Sequence, residues 1–162
     1  MKEAIANAGV FNIVIMFVII LLAFFVGSLG YSKAFKAKNK IVEEIEKDQA
    51  YTTGINDSTE TRVEQWLSKI GYRVNTGNSK NSESCPSKVS GNGGASGKLI
   101  NSNGTYQYCV YEFDTCNKDS DKAICGKYYR VITYMYFDVP VISGLLKLPV
   151  TGETMIFNEI HS

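Results

Sequence analysis

Four cysteines, Cys85, Cys109, Cys116 and Cys125, are the residues of this chain whose type and spacing best suit covalent chemistry. An even count confined to a short region predicts two disulfides and an oxidising exterior. Zinc ligation fits poorly, because the gaps are long or irregular, no CxxC occurs and the single histidine is His161. Three connectivities exist for four cysteines. Cys116 and Cys125 bracket a polar stretch, NKDSDKAI, between two strand-like runs, so closing that loop is the least demanding geometry. It leaves Cys85 with Cys109, tying a Gly/Ser-rich loop to a strand.

Other chemistry is thin. A Ser/His/Asp or Cys/His site would depend on His161, and a chain end is a poor place to hold a base. Glu112 with Asp114, and Asp119 with Asp121, are acidic pairs of the kind that strand rims and solvated loops carry. Asp119-Ser120-Asp121 resembles the start of a calcium loop but lacks its glycine and distal glutamate. GNGGASGK invites comparison with a phosphate-binding loop, yet Leu99 stands where Ser or Thr must follow Lys98, and no strand leads into it. These residues predict no catalytic, cofactor-binding or metal site and no enzyme activity. Lys and Arg number 17 against 16 Asp and Glu, with no basic stripe among aromatics, which argues against nucleic-acid binding.

The dominant element is Val10 to Leu29, VFNIVIMFVIILLAFFVGSL, a run without a charge. As a helix it would measure about 30 Å, the thickness of a bilayer's hydrocarbon core. The chain therefore divides into a short segment over 1–9, a transmembrane helix over 10–30, a helical stalk over 31–50 and an α+β domain over 51–162. Residues 1–9 make a weak signal peptide, so an uncleaved anchor is expected; cleavage after Gly30 is the other reading. Tyr31 to Gln49 has no Pro or Gly, and Phe35, Ile41, Val42 and Ile45 form a stripe that a globular domain can cover.

Asn12, Met16, Ile19, Ala23, Gly27, Gly30, Ala34 and Ala37 recur at steps of three and four and so line one helix face. Small residues let a second helix approach closely, and Asn12 can fix register by an interhelical hydrogen bond. The seam predicts packing against other membrane helices, a second copy of this chain among them.

In the domain, Ser58 or Thr59 caps a short amphipathic helix, TETRVEQWLSKIG, with Val63, Trp66, Leu67 and Ile70 on one face. Trp66 is expected as a core anchor. Asn75 to Gly104 reads as a flexible surface loop pinned at Cys85 and near Leu99 and Ile100. TYQYCVYEF and YYRVITYMYFDV predict an antiparallel hairpin, and VTGETMIF a further strand. In the second of these runs neither face is polar, so loops or a neighbouring subunit must cover the side away from the helices.

The layout resembles the TadE-like minor pilins or pseudopilins of bacterial tight-adherence pilus systems. The likeness lies in an N-terminal membrane helix running into GYSKAFKAKNKIVEEIE, and in the ending RVITYMYFDVPVISGLLKLPVTGETMI with its P-x-x-x-G-L turn. The basic leader of prepilins has no match here, and Glu3 sits only loosely where their glutamate would be. The resemblance implies a pilin-like fold with a three- to four-stranded antiparallel sheet, and a structural role in a surface pilus or secretion assembly. A membrane-tethered adhesin or sensor is the alternative function. Topology draws opposing signals. Lys33, Lys36, Lys38 and Lys40 follow the helix and would hold the C-terminal part in the cytoplasm, whereas the cysteines favour the exterior. The cysteines and loop-rich domain decide for a single-pass protein with its domain at the cell surface.

Overall fold

The computed structural model describes residues 2–54, 57–74, 85–91, 94–101, 105–116, 126–136 and 147–158. The first helix, α1, runs unbroken over Lys2–Asp48, about 70 Å at the usual rise. Nothing in that stretch interrupts it, since proline is absent and its three glycines are spread along it. The transmembrane and stalk segments read from the sequence are thus one rod. A second helix, α2, spans Thr59–Lys69 and starts where the Ser58 side chain accepts a hydrogen bond from the Thr61 N–H. It ends before Gly71, which takes a positive φ of 61°.

The sheet has five antiparallel strands: β1 (Lys98–Leu99), β2 (Tyr108–Asp114), β3 (Gly126–Tyr136), β4 (Lys147–Glu153) and β5 (Phe157–Asn158). The expected three or four become five because two-residue strands fill both margins. The order is β1-β2-β3-β4, and β5 pairs with the start of β3 in line with β4. The expected hairpin is β2–β3, in the register Cys109↔Ile132 and Tyr111↔Arg130. Phe137 and Val139, expected to extend β3, lie outside the described residues.

Both faces of this sheet are covered, which accounts for its lack of a polar side. Tyr108, Val110 and Val131 point towards the helices and pack with Ile41 and Ile45 of α1 and Val63 and Leu67 of α2. Trp66 is half-buried at the edge of that cluster. The alternate residues Cys109, Tyr111, Phe113 and Ile132 form a second core with Cys85. This core lies under the Gly/Ser-rich stretch that had the composition of a flexible loop. Its described parts fold back as a flap: Gly91 N–H donates to Ala95 O at 2.8 Å, and Gly97 N–H to Val89 O at 2.9 Å. Tyr111 Oη donates to Pro86 O at 2.6 Å, and an Arg130 N–H to Ser90 O at 2.7 Å. The flap's glycines permit contact that side chains would block. A Cβ on Gly91 or Gly97 would stand 2.5 or 2.6 Å from the Phe113 ring.

A disulfide joins Cys85 to Cys109, fastening the flap to the central hairpin. Cys116 is also disulfide-bonded, while Cys125, the partner expected for it, lies outside the described residues.

Candidate functional site: the junction of the apolar helix and the sheet

Two halves of α1 live in different surroundings. From Val10 to Leu29 its large apolar side chains are exposed, among them Phe24 at 74% and Ile13 at 71%. From Ala34 onward one side of the helix is part of the domain's core. Ala34, Ala37, Ile41 and Ile45 are fully buried, at helical steps of three and four. Ala34 and Ala37 are small enough to let β3 come up against the helix backbone. There the buried Thr133 hydroxyl donates to Ala34 O at 2.9 Å. Gly30 begins the contact, for a Cβ on it would stand 3.0 Å from Tyr136 O and 3.3 Å from Met135 Cγ.

The small-residue seam therefore has two fates. Its distal members Gly30, Ala34 and Ala37 face the chain's own sheet, while Asn12, Met16 and Ile19 lie on the open apolar half. Gly27 is buried and Ala23 half-buried at the boundary. Phe35, expected in the covered stripe, is instead 40% exposed. It sits next to Ala34, roughly 100° further round the helix, and so misses the sheet. Phe35 stacks on Tyr31 with ring centres 6.1 Å apart, and Lys38 Nζ lies 4.3 Å above its ring.

Charge locks the second half of α1 to α2. Glu44, only 7% exposed, receives Lys40 Nζ at 3.0 Å and Arg62 Nε at 2.9 Å. Arg62 also pairs with Asp48, whose carboxylate accepts the Thr59 hydroxyl at 2.8 Å. Burial alone would raise the Glu44 pKa, but hydrogen bonds from Arg62 and Lys40 outweigh it and hold the carboxyl below its ordinary 4.5. The Thr59 hydroxyl, and then Arg62, keep Asp48 below 3.8. Two depressed carboxyls contribute stability that is fully present above their unfolded values and is lost as pH falls through the folded ones. Glu60 acts oppositely, since burial pushes its pKa up. Below about pH 4.5 the melting temperature should fall, and more steeply in the natural protein than in Glu44→Gln. Thermal melts of both from pH 7 to pH 3 check this; parallel curves would place the acid sensitivity elsewhere.

Beyond Gly71 the chain crosses back to the helix–sheet joint. The buried Tyr72 hydroxyl accepts from Tyr134 N at 2.9 Å and lies 3.0 Å from Gln107 O. It takes up a backbone group of β3 just past Thr133, where pairing with β2 ends. Arg73 follows, with its guanidinium 4.2 Å from the Tyr136 ring centre.

Two grooves flank the joint. One, of about 570 Å³, is walled by Ile20, Ala23, Phe24 and Tyr31 of α1 and by Met135 of β3, and is almost wholly apolar. The other, of about 360 Å³ on the opposite side of the helix, brings Leu29 and Lys33 up to Arg73, Tyr134 and Tyr136. Among the described residues no group of His, Cys, Asp and Glu is arranged to hold a metal ion.

No family model, curated protein or solved structure matches this chain. Tyr72, Arg73, Arg62 and Glu44 carry no sequence signal that marks them. Their spacing is ordinary, and their partners lie on other elements.

Proposed function

We propose that this protein is a membrane-anchored structural subunit, similar in role to the TadE-like pilins it resembles. In this reading it assembles through its helix, displays the disulfide-stapled domain outside the cytoplasm and performs no catalytic step. The observation that carries the reading is the division of α1, an uncovered apolar half continuous with a half built into the domain's core. A rod of this kind transmits the position of the membrane helix directly to the displayed surface. The stalk lysines, which argue for a cytoplasmic domain, have local work: Lys40 pairs with Glu43 and Glu44, and Lys38 covers Phe35. The buried disulfide supports an oxidising compartment.

The test is cross-linking in membranes combined with protease shaving of intact cells. A cysteine at Met16, on the open seam, should form a cross-linked species, and one at Val14, nearly opposite on the helix, should not. A C-terminal tag should be lost from intact cells. Equal cross-linking at both positions would remove assembly through the seam. A tag that is accessible without any cross-link would favour a tethered adhesin or sensor. Gly30→Leu is unsuitable as a probe of assembly, because it would first push the helix off Tyr136 and Met135.

A further inference from the structure

We infer that the lower end of the sheet is itself a bilayer-contact surface. Its rim, Tyr31, Met135 and Leu148, sits in the headgroup layer, and a phospholipid acyl chain of the same leaflet fills the larger groove, given that α1 spans the bilayer as the proposed function holds. Three contacts fix where the sheet ends along α1. The stem of Lys38 lies over Gly152, the β4 partner of Val131. The Thr133 hydroxyl meets Ala34 O, and Met135 and Tyr136 close on Gly30. Thus β3 descends the helix from the level of Lys38 to that of Gly30, the residue directly after the apolar run. Hydrocarbon ends there, and the headgroup layer beyond it is only about 5–8 Å thick. With Val10 to Leu29 in the hydrocarbon, the sheet has no room to stand clear of the leaflet.

The side chains at the rim suit that depth. Met135 walls the larger groove together with Phe24 and Tyr31. Leu148 is the β4 partner of Met135, so it shares the same face of the sheet, and it is 45% exposed. Tyr31 is exposed two residues past Leu29, the level at which tyrosines gather at membrane interfaces. From Tyr31 the groove runs down to Ile20, about 16 Å along the apolar half of α1. Its described lining is apolar apart from the hydroxyls of Ser28 and Tyr31, which matches a hydrocarbon chain lying along the helix. The exposed Lys33 and Lys36 stand about 6 and 10 Å beyond Leu29, from where their long stems reach the phosphate level. The opposite end of the sheet is well clear of the leaflet. There the Met155 N–H donates to Glu46 Oε1, about 25 Å beyond Leu29.

Single tryptophans in the full chain, with Trp66→Phe and in phosphatidylcholine vesicles, read the depth. Leu148→Trp should lose most of its fluorescence to lipids brominated near the carbonyl end of the acyl chain, and less to lipids brominated near the methyl end. Met155→Trp, at a residue 63% exposed but far up the sheet, should keep its emission. Thr151→Trp, at an exposed position higher in β4, should fall between them, and it carries the test if Leu148→Trp folds poorly. Tyr31→Trp reports the groove and should be quenched at every protein-to-lipid ratio. Full emission from both Leu148→Trp and Thr151→Trp would mean that the domain stands clear of the leaflet. Equal quenching at Met155→Trp would mean that the sheet lies flat on the membrane. Either result overturns the rim. Quenching of Tyr31→Trp that appears only on dilution into excess lipid would make a second copy of the chain the occupant of the groove and overturn the acyl chain. Carbonate extraction separates failure of the rim from failure of the anchor. Protein released from membranes would refute the spanning helix and with it the proposed function, whereas retained protein with an unquenched rim would refute the rim alone.

Discussion

Asn101→Leu is expected to lower the unfolding free energy by about 3 kcal/mol, an unusually large effect for a residue in a loop. Asn101 is 1% exposed. Its Oδ1 accepts the Val110 N–H at 2.7 Å, and its Nδ2 donates to Tyr108 O at 2.8 Å. Ile100 N–H donates to Val110 O at 2.9 Å just beside it. The amide thereby acts as one more unit of strand beyond Leu99, satisfying backbone groups of β2 that meet no further strand among the described residues. Leucine keeps the branching and the number of heavy atoms, so the loss would come chiefly from the stranded N–H and C=O. Each buried polar group left unsatisfied costs about 1–3 kcal/mol. Urea unfolding of the full chain in micelles, followed by the fluorescence of the sole tryptophan, Trp66, measures it. A change below about 1 kcal/mol would mean that water or a shifted backbone replaces the amide.

The second large effect concerns the flap. Cys85→Ser together with Cys109→Ser should cost about 2–4 kcal/mol, the usual contribution of a disulfide closing a loop of this order. The bond spans a sequence separation of 24. Both sulfurs are buried, Cys109 completely, so the serines would add polar groups to an apolar core. The consequence is local as well as global. With its anchor removed, the 85–91 segment should lift from Phe113 and Tyr128, whose rings stack 4.8 Å apart beneath it. Limited trypsin digestion should then cut faster at Lys88 and Lys98, both exposed residues in or beside the flap. Unchanged cleavage, with an unchanged urea midpoint, would show that backbone and side-chain hydrogen bonds alone hold the flap in place.

Glycine-rich composition leaves the folded-back part of that region illegible for a physical reason. GNGG and its neighbours have the content of a solvated loop. Here Gly91 and Gly97 serve close approach to an aromatic ring, a use that composition does not distinguish from flexibility. The helix stripe failed by one position in a similar way. Phe35 is the larger hydrophobe and attracts a core assignment, but the sheet needed the small Ala34 and Ala37 to reach the helix.

What the sequence by itself determined are the properties carried in short windows. The apolar run states its own length against a bilayer, Ser58 its cap, and the alternating aromatic runs their hairpin. Cysteine count and loop length suggested the Cys85–Cys109 link. Each depends on periodicity, spacing or chemistry along the chain. Only the tertiary structure decided which part of the small-residue seam stays uncovered and which is used by the sheet. It alone brought Thr133 to Ala34, Tyr72 to Tyr134 and Arg62 to Glu44, across separations of 99, 62 and 18 residues. Those contacts are set by how helix and sheet pack once both exist, and no local window contains both partners.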